Sequence, residues 1–155
     1  MDEAVARSMA KWPDVPAVYG WLALDRRGNW RIKGERIGNA ALREFIGRNY
    51  QADPQGRWFF QNGPQRVYVT LAYTPLVVHY EGEALFDQCG RPFIARRMLR
   101  DDEGSVLVEG ERGVALLDDR DLHRVADHAA SFERIERGQV AARFGFAPEP
   151  ADFLR

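Results

Sequence analysis

The densest block of strand-forming residues runs from Gly56 to Tyr80, GRWFFQNGPQRVYVTLAYTPLVVHY, and its pattern reads as the central hairpin of a sheet. Trp58, Phe59 and Phe60 give a first strand and Arg66 to Tyr73 a second, both rich in the aromatic and β-branched types that pack on a pleated surface. Between them lies Asn62-Gly63-Pro64-Gln65. A two-residue type I′ turn centred on Asn62-Gly63 needs a donor at the next residue, and Pro64 has no N–H. The expected connection is therefore a four-residue loop closed by Gln61 and Arg66. In that register Phe60 faces Val67 and Trp58 faces Val69, with Leu71 and Tyr73 continuing the core side. The opposite face carries Arg57, Phe59, Gln61, Arg66, Tyr68 and Thr70. Thr74-Pro75 bends the chain, because proline inside a sheet belongs at an edge or a break. Leu76 to Tyr80 resumes as strand.

Elsewhere the pattern alternates between helix and hairpin. Asp2 to Trp12 is expected as a short helix with Val5, Met9 and Trp12 on one face, ended by Pro13 and Pro16 and lying over the sheet. Trp21 to Ile37 reads as a hairpin turning at Asp25-Arg26-Arg27-Gly28, and Trp30 and Ile32 alternate with Arg31 and Lys33 in its second arm. Asn39 caps a helix from Ala40 to Asn49, with Leu42, Phe45, Ile46 and Tyr50 as its apolar stripe. Asp53-Pro54-Gln55-Gly56 is a turn with proline and glycine where a type I turn favours them. Asp118 to Asp121 opens a further helix, with Leu122, Val125, Ala126 and Ala129 facing inward. Gln139 to Phe146 suits strand and helix equally, and the proline-containing tail reads as irregular.

The second half looks like a reduced copy of the first. Asp25-x-x-Gly28 is echoed by Asp87-x-x-Gly90, and Asp53-x-x-Gly56 by Asp101-x-x-Gly104, each second glycine being followed by two similar strands. The two spacings differ by about the length of the Asn39–Tyr50 helix, as if the second copy had lost it. The expected fold is α+β: one domain over residues 1–155, with antiparallel hairpins forming a sheet packed by at least two helices. A degenerate duplication would relate residues 18–80 to 83–146.

Composition narrows the class. At 155 residues, with 45% hydrophobic and 29% charged residues, the chain can build a sufficient core without disulfides or a structural metal. A formal net charge of −1 gives no electrostatic reason to bind nucleic acid or an acidic membrane. A lone cysteine, Cys89, fits a reducing compartment. The N-terminus lacks the basic start and apolar run of a signal peptide, and no segment approaches a membrane span, so a cytoplasmic protein is expected.

Candidate chemistry is sparse. The run Asp118 to His128 holds four aspartates and two histidines. On a helix, however, His123 and His128 diverge by roughly 140° and miss the i, i+4 zincin spacing, so a solvated face is expected and no metal. Cys89 sits in a turn beside Arg91 with no histidine near in sequence, and reads as an incidental thiol. Ser8, Ser105 and Ser131 lack a nucleophile-elbow setting. No phosphate-cradling glycine motif occurs, so no cofactor is expected. Ala141 to Gly145 has the A-x-x-x-G pattern of a helix-turn-helix, but prolines follow where a recognition helix should stand. The best surface is the outer face of the central hairpin, where Arg57, Phe59, Gln61, Arg66 and Tyr68 mix cations with rings, as in sites that stack bases or hold anionic aromatic ligands. The competing account buries Phe59 and Tyr68 under the N-terminal segment or a partner subunit, with arginines at the rim.

The order strand, D-x-x-G-x-W turn, strand, helix, D-x-x-G-R-[WY]-F hairpin and long aromatic-aliphatic strand resembles an uncharacterised bacterial family of the domain-of-unknown-function class. Asp25, Gly28, Trp30, Asp53, Gly56, Arg57, Trp58 and Phe59 carry the resemblance over residues 20–80, and it fades after Gly90. It implies an α+β fold with repeated motifs and a signalling or regulatory role, and it supplies no catalytic residues. The leading expectation is a non-enzymatic module that recognises a small anionic or aromatic ligand, or a protein, on the Phe59/Tyr68 face, with homodimerisation as a variant. The alternatives are single-stranded nucleic-acid binding on that face and an enzyme using His79, His123 or Cys89.

Overall fold

Hairpins dominate the chain, but each of its sheets is completed by strands that run parallel. The computed structural model describes residues 3–151. A short helix α1 (Glu3–Met9) is followed by β1 (Ala17–Leu24), β2 (Trp30–Ile32), β3 (Glu35–Arg36), helix α2 (Ala40–Arg48), β4 (Tyr50–Ala52), β5 (Trp58–Asn62) and β6 (Gln65–Leu71). These strands order as β3-β2-β1-β6-β5-β4, antiparallel throughout except for β1 beside β6. The second half contributes β7 (Leu76–Glu81), β8 (Ala84–Asp87), β9 (Pro92–Phe93), β10 (Arg97–Asp101), β11 (Val106–Gly110), β12 (Gly113–Leu117), β13 (Glu133–Ile135) and helix α3 (Val140–Phe144). Its order is β13-β10-β11-β12-β7-β8-β9, with β12 parallel to β7 and β10 parallel to β13.

The fold is thus mixed α+β and mostly sheet, which corrects the expectation of one antiparallel sheet: among the described residues there are two sheets, both mixed. The physical reason is that a hairpin is written locally in its turn residues, whereas a parallel neighbour arrives from a distant segment without any turn to announce it. The chain passes from β9 to β10 without a helix, where the first half carries α2.

The central hairpin keeps the expected register, Phe60 against Val67 and Gln61 against Arg66. Pairing runs one step further, to Asn62 against Gln65, so the connection is the two residues Gly63-Pro64 and not a four-residue loop. Gly63 takes a φ of 55°, and the proline sits inside the loop, where the ladder needs no N–H from it. Trp58, Phe60, Val67 and Val69 join the main hydrophobic core, while Phe59 and Tyr68 stand opposite each other on the other face.

Four loops of identical construction frame the sheets. Asp25, Asp53, Asp87 and Asp101 each accept the backbone N–H groups of the second and fourth residues that follow, through one carboxylate oxygen. In each, the glycine three residues on donates its N–H to the aspartate carbonyl and has a φ between 78° and 85°. The second carboxylate oxygen is taken by a different partner every time: Arg31 for Asp25, Arg57 for Asp53, Arg112 for Asp87 and the Tyr73 hydroxyl for Asp101. These four aspartates can be half-buried or buried because every carboxylate oxygen has a donor.

Asn39 accepts from Leu42 N at 3.0 Å and starts α2, which buries Leu42, Ile46 and Gly47. Gly47 lets α2 lie against the Asp87 loop, since a Cβ there would stand 3.2 Å from Cys89 Cα. In the N-terminal segment, Asp2 lies outside the described residues; Trp12, beyond the end of α1, packs on Trp21 and Phe60. Residues 119–124 form a 3-10 turn and not the expected helix: Asp118 caps Arg120 N, and Asp121 accepts from Tyr80 N, ties that compete with helical hydrogen bonds. Val125 is buried there and Ala126 is exposed. Residues 140–144 are helical, ended by Gly145 in the left-handed region. The segment after it is held: Leu71 N donates to Pro148 O, and Ala147 N to Gly56 O.

Candidate functional site

The five hairpin residues singled out from sequence do assemble, but their face is filled by the protein itself. Phe59 and Tyr68 are 2% and 4% exposed. Tyr19, from β1, stacks on Tyr68 with ring centroids 4.8 Å apart and planes 5° from parallel. Arg57 lies over the Tyr68 ring at 4.7 Å, and Arg66 over Phe59 at 4.4 Å. Arg57 Nε donates to Asp53 Oδ2 at 2.7 Å. Burial works to raise the Asp53 carboxyl, but hydrogen bonds from the Arg57 backbone, the Arg57 guanidinium and the Gln55 backbone outweigh it and hold the group below its ordinary value. The Gln61 amide donates to the Gly63 and Gln65 carbonyls and so braces the turn. The cover of Tyr68 comes from Tyr19, which is far away in sequence and carries no local sign of that role.

A cleft of about 510 Å³ lies where the two sheets meet. The Asp25 loop brings Arg27 and Gly28 to it, β7 brings His79 and Tyr80, the Asp87 loop brings Gln88, and the 3-10 turn brings Arg120. Gly28 makes the close approach possible: a Cβ there would meet Gln88 Cβ at 3.1 Å, and its φ of 82° suits glycine alone. Gln88 is fixed by accepting from Val77 N and donating to Pro75 O. Arg27 reaches across to Asp119 with two hydrogen bonds of 2.8 and 3.0 Å, while Arg120 forks onto the buried Asp118. The Arg27–Asp119 pair is exposed at both ends, 50% and 59%. The His79 ring is 40% exposed, with Glu81 at 3.5 Å and Phe86 beside it. The cleft therefore brings together two guanidinium groups, an imidazole, an aromatic ring and an ordered amide, with Asp87, Asp118 and Asp121 also in its lining.

Of the other residues weighed for chemistry, Cys89 is half-buried against α2, and loss of solvent there pushes its thiol up to about 12, with Arg91 pulling weakly the other way. It lines a smaller opening of about 310 Å³. His123 and His128 are exposed on separate turns, and among the described residues no three potential metal ligands come together. Sequence reasoning named His79 as a catalytic candidate without its setting; the cleft around it is assembled from segments scattered over the chain.

Comparisons with known proteins bear on this fold. The model of a family described as "Protein of unknown function (DUF2946)" matches residues 1–151. No curated protein matches the chain. Among solved structures, a DUF1285 family protein from Silicibacter pomeroyi is similar with a TM-score of 0.57 and 18% identity, covering 82% of this chain and 84% of that one. A DUF1285 family protein from Shewanella baltica gives a TM-score of 0.52 at 18% identity, covering 69% of this chain and 91% of its own. At that identity the likeness speaks for the fold alone.

Proposed function

We propose that this chain, which belongs to the matched family of unknown function, is a non-enzymatic binding module of regulatory type whose ligand site is the cleft between its two sheets. The ligand class is a small molecule with an anionic group and a flat or ring-shaped body. The observation that carries the reading is the Arg27–Asp119 pair. An ion pair exposed at both ends contributes little to stability, so Arg27 can exchange Asp119 for a ligand anion at small loss. His79 and Tyr80 then stand beside the same opening to contact the rest of the molecule. Each half of the chain supplies part of the wall, which suits a sensor whose ligand bridges two sheets. The duplication of residues 18–80 in 83–146 and a cytoplasmic setting belong to the same reading, the latter resting on the single cysteine.

Calorimetric titration with a panel of small carboxylates and aromatic acids tests it. Binding that weakens about tenfold or more in Arg27→Ala, with the melting temperature of the free protein nearly unchanged, is the expected result. A panel that binds equally well to wild type and to Arg27→Ala, Arg120→Ala removes the cleft as the site.

A second reading keeps recognition on the hairpin face, by a small ligand, a protein or a second copy of this chain. Arg66 favours it, being exposed and resting on Phe59 without an ion pair among the described residues. Binding there would be lost in Arg66→Ala and kept in Arg27→Ala. Base stacking on that face has less support, because Phe59 and Tyr68 are covered.

A further inference from the structure

Ten arginines among the described residues meet a carboxylate, Arg27, Arg31, Arg57, Arg97, Arg112 and Arg120 among them. Arg100 and Arg134 depart from that habit in a specific way. They are register partners on the parallel strands β10 and β13. The cationic side chains are thus neighbours across the ladder, an arrangement that repels when nothing neutralises it. Among the described residues, neither guanidinium has a carboxylate within ion-pair distance, whereas Arg97 on β10 and Arg137, just after β13, each do. The Nε of Arg100 is out of water and has no acceptor. An unsatisfied guanidinium N–H in the interior is a costly feature that calls for a cause.

Both arginines line a cleft of about 470 Å³ that is separate from the one between the sheets, with the Gln139 side chain and the Gly104 turn on its other walls. The cleft also contains carboxylates, yet two of the three are engaged elsewhere. Asp101 accepts from Glu103 N, Ser105 N and the Tyr73 hydroxyl. Asp102 accepts from Arg137 N. Glu136 is exposed.

We propose that this cleft binds a phosphomonoester, its phosphate seated between Arg100 and Arg134 and the remainder of the molecule lying toward Gln139. The chemistry favours phosphate over a carboxylate. Two adjacent guanidinium groups present planar forks that can engage several oxygens of a tetrahedral phosphate at once, where a planar carboxylate offers only two. The volume exceeds that of a bare phosphate and admits a small ester, while the negative rim at Asp102 and Glu136 discourages a second anionic group on the same ligand. This site is independent of the inter-sheet cleft: it uses no residue of that cleft and stands or falls without it.

The test uses the full chain and two probes, inorganic phosphate and glycerol phosphate, at constant ionic strength, with acetate as the control anion. Saturable binding of the ester by calorimetry, reduced about tenfold or more in Arg134→Gln and unchanged in Arg48→Gln, is expected. Arg134 is exposed, so its replacement leaves the fold intact, and it carries a second readout. A purely structural arginine would destabilise the free protein on removal; here the ligand-free Arg134→Gln variant melts at or above the wild-type temperature, because a repulsion has been relieved. An ester that binds more tightly than inorganic phosphate supports the assignment. Equal binding of the two probes narrows the site to the free anion and overturns the ester. Binding that acetate reproduces, that survives in Arg134→Gln, or that vanishes in Arg48→Gln overturns the site altogether.

Discussion

A carboxylate can be taken out of water only when donors surround it, and the four loop aspartates show how a short motif arranges that. In D-x-x-G the backbone supplies two N–H groups to one oxygen, and a more distant partner supplies the other. Asp101→Ala should therefore cost about 2–4 kcal/mol in urea unfolding, since it orphans several donors, whereas Tyr73→Phe should cost about 1–2 kcal/mol by removing one. The same bonding makes a statement about pH. For Asp25 and Asp53 burial alone would raise the carboxyl, but the hydrogen bonds prevail and hold both below the ordinary value. Their contribution is then complete above the unfolded carboxylate range near ~4 and is lost as pH falls below it. Denaturant titrations from neutral to acid pH should show stability dropping there, and the drop should shrink in Asp53→Asn. Cys89 behaves oppositely: with its thiol pushed up to about 12, iodoacetamide should alkylate the native protein at neutral pH far more slowly than the unfolded chain.

At the scale of elements, what could be read from the sequence was whatever a few adjacent residues decide. Asn39 announced α2, the four aspartates announced their turns, and the alternation of Trp58 to Tyr68 announced which side chains share a face. The parallel pairing of β1 with β6 had no such herald, nor did the cover that Tyr19 lays over Tyr68. The inter-sheet cleft was invisible for the same reason: Arg27, His79, Gln88 and Arg120 meet only after both sheets have formed. The hairpin loop is one pairing step shorter than the expected four-residue loop, because Asn62 and Gln65 join the ladder and leave Gly63-Pro64 as the connection. Two glycines make the contrast between local and tertiary demands measurable. At Gly63 an added Cβ meets open space, so Gly63→Ala carries only the strain of a positive φ and should cost about 1 kcal/mol. At Gly56 the added Cβ would lie 2.1 Å from Gly145 O, so Gly56→Ala must push the C-terminal segment off the β4–β5 hairpin. It should cost about 3 kcal/mol or more by thermal or chemical unfolding.

For the molecule as a whole, the last described residues act as a fastener. β13 adds to the second sheet, while Pro148 and Ala147 bond to Leu71 and Gly56 of the first half, and Val140 and Phe146 are buried between those ends. Removing residues 139–155 should lower unfolding stability by about 3–5 kcal/mol, the burial of two apolar side chains, and urea denaturation of the shortened chain checks it.

The parallel pairs carry a kinetic consequence. Ala17 aligns with Arg66 and Ala115 with Leu76, so each sheet is completed only when segments roughly forty to fifty residues apart come into register, a closure whose entropy is paid before its contacts form. Refolding should accordingly be slow for a chain of this length, with amides bonded within the hairpins gaining protection from hydrogen exchange early and those bonded across the parallel β1–β6 and β7–β12 pairs late.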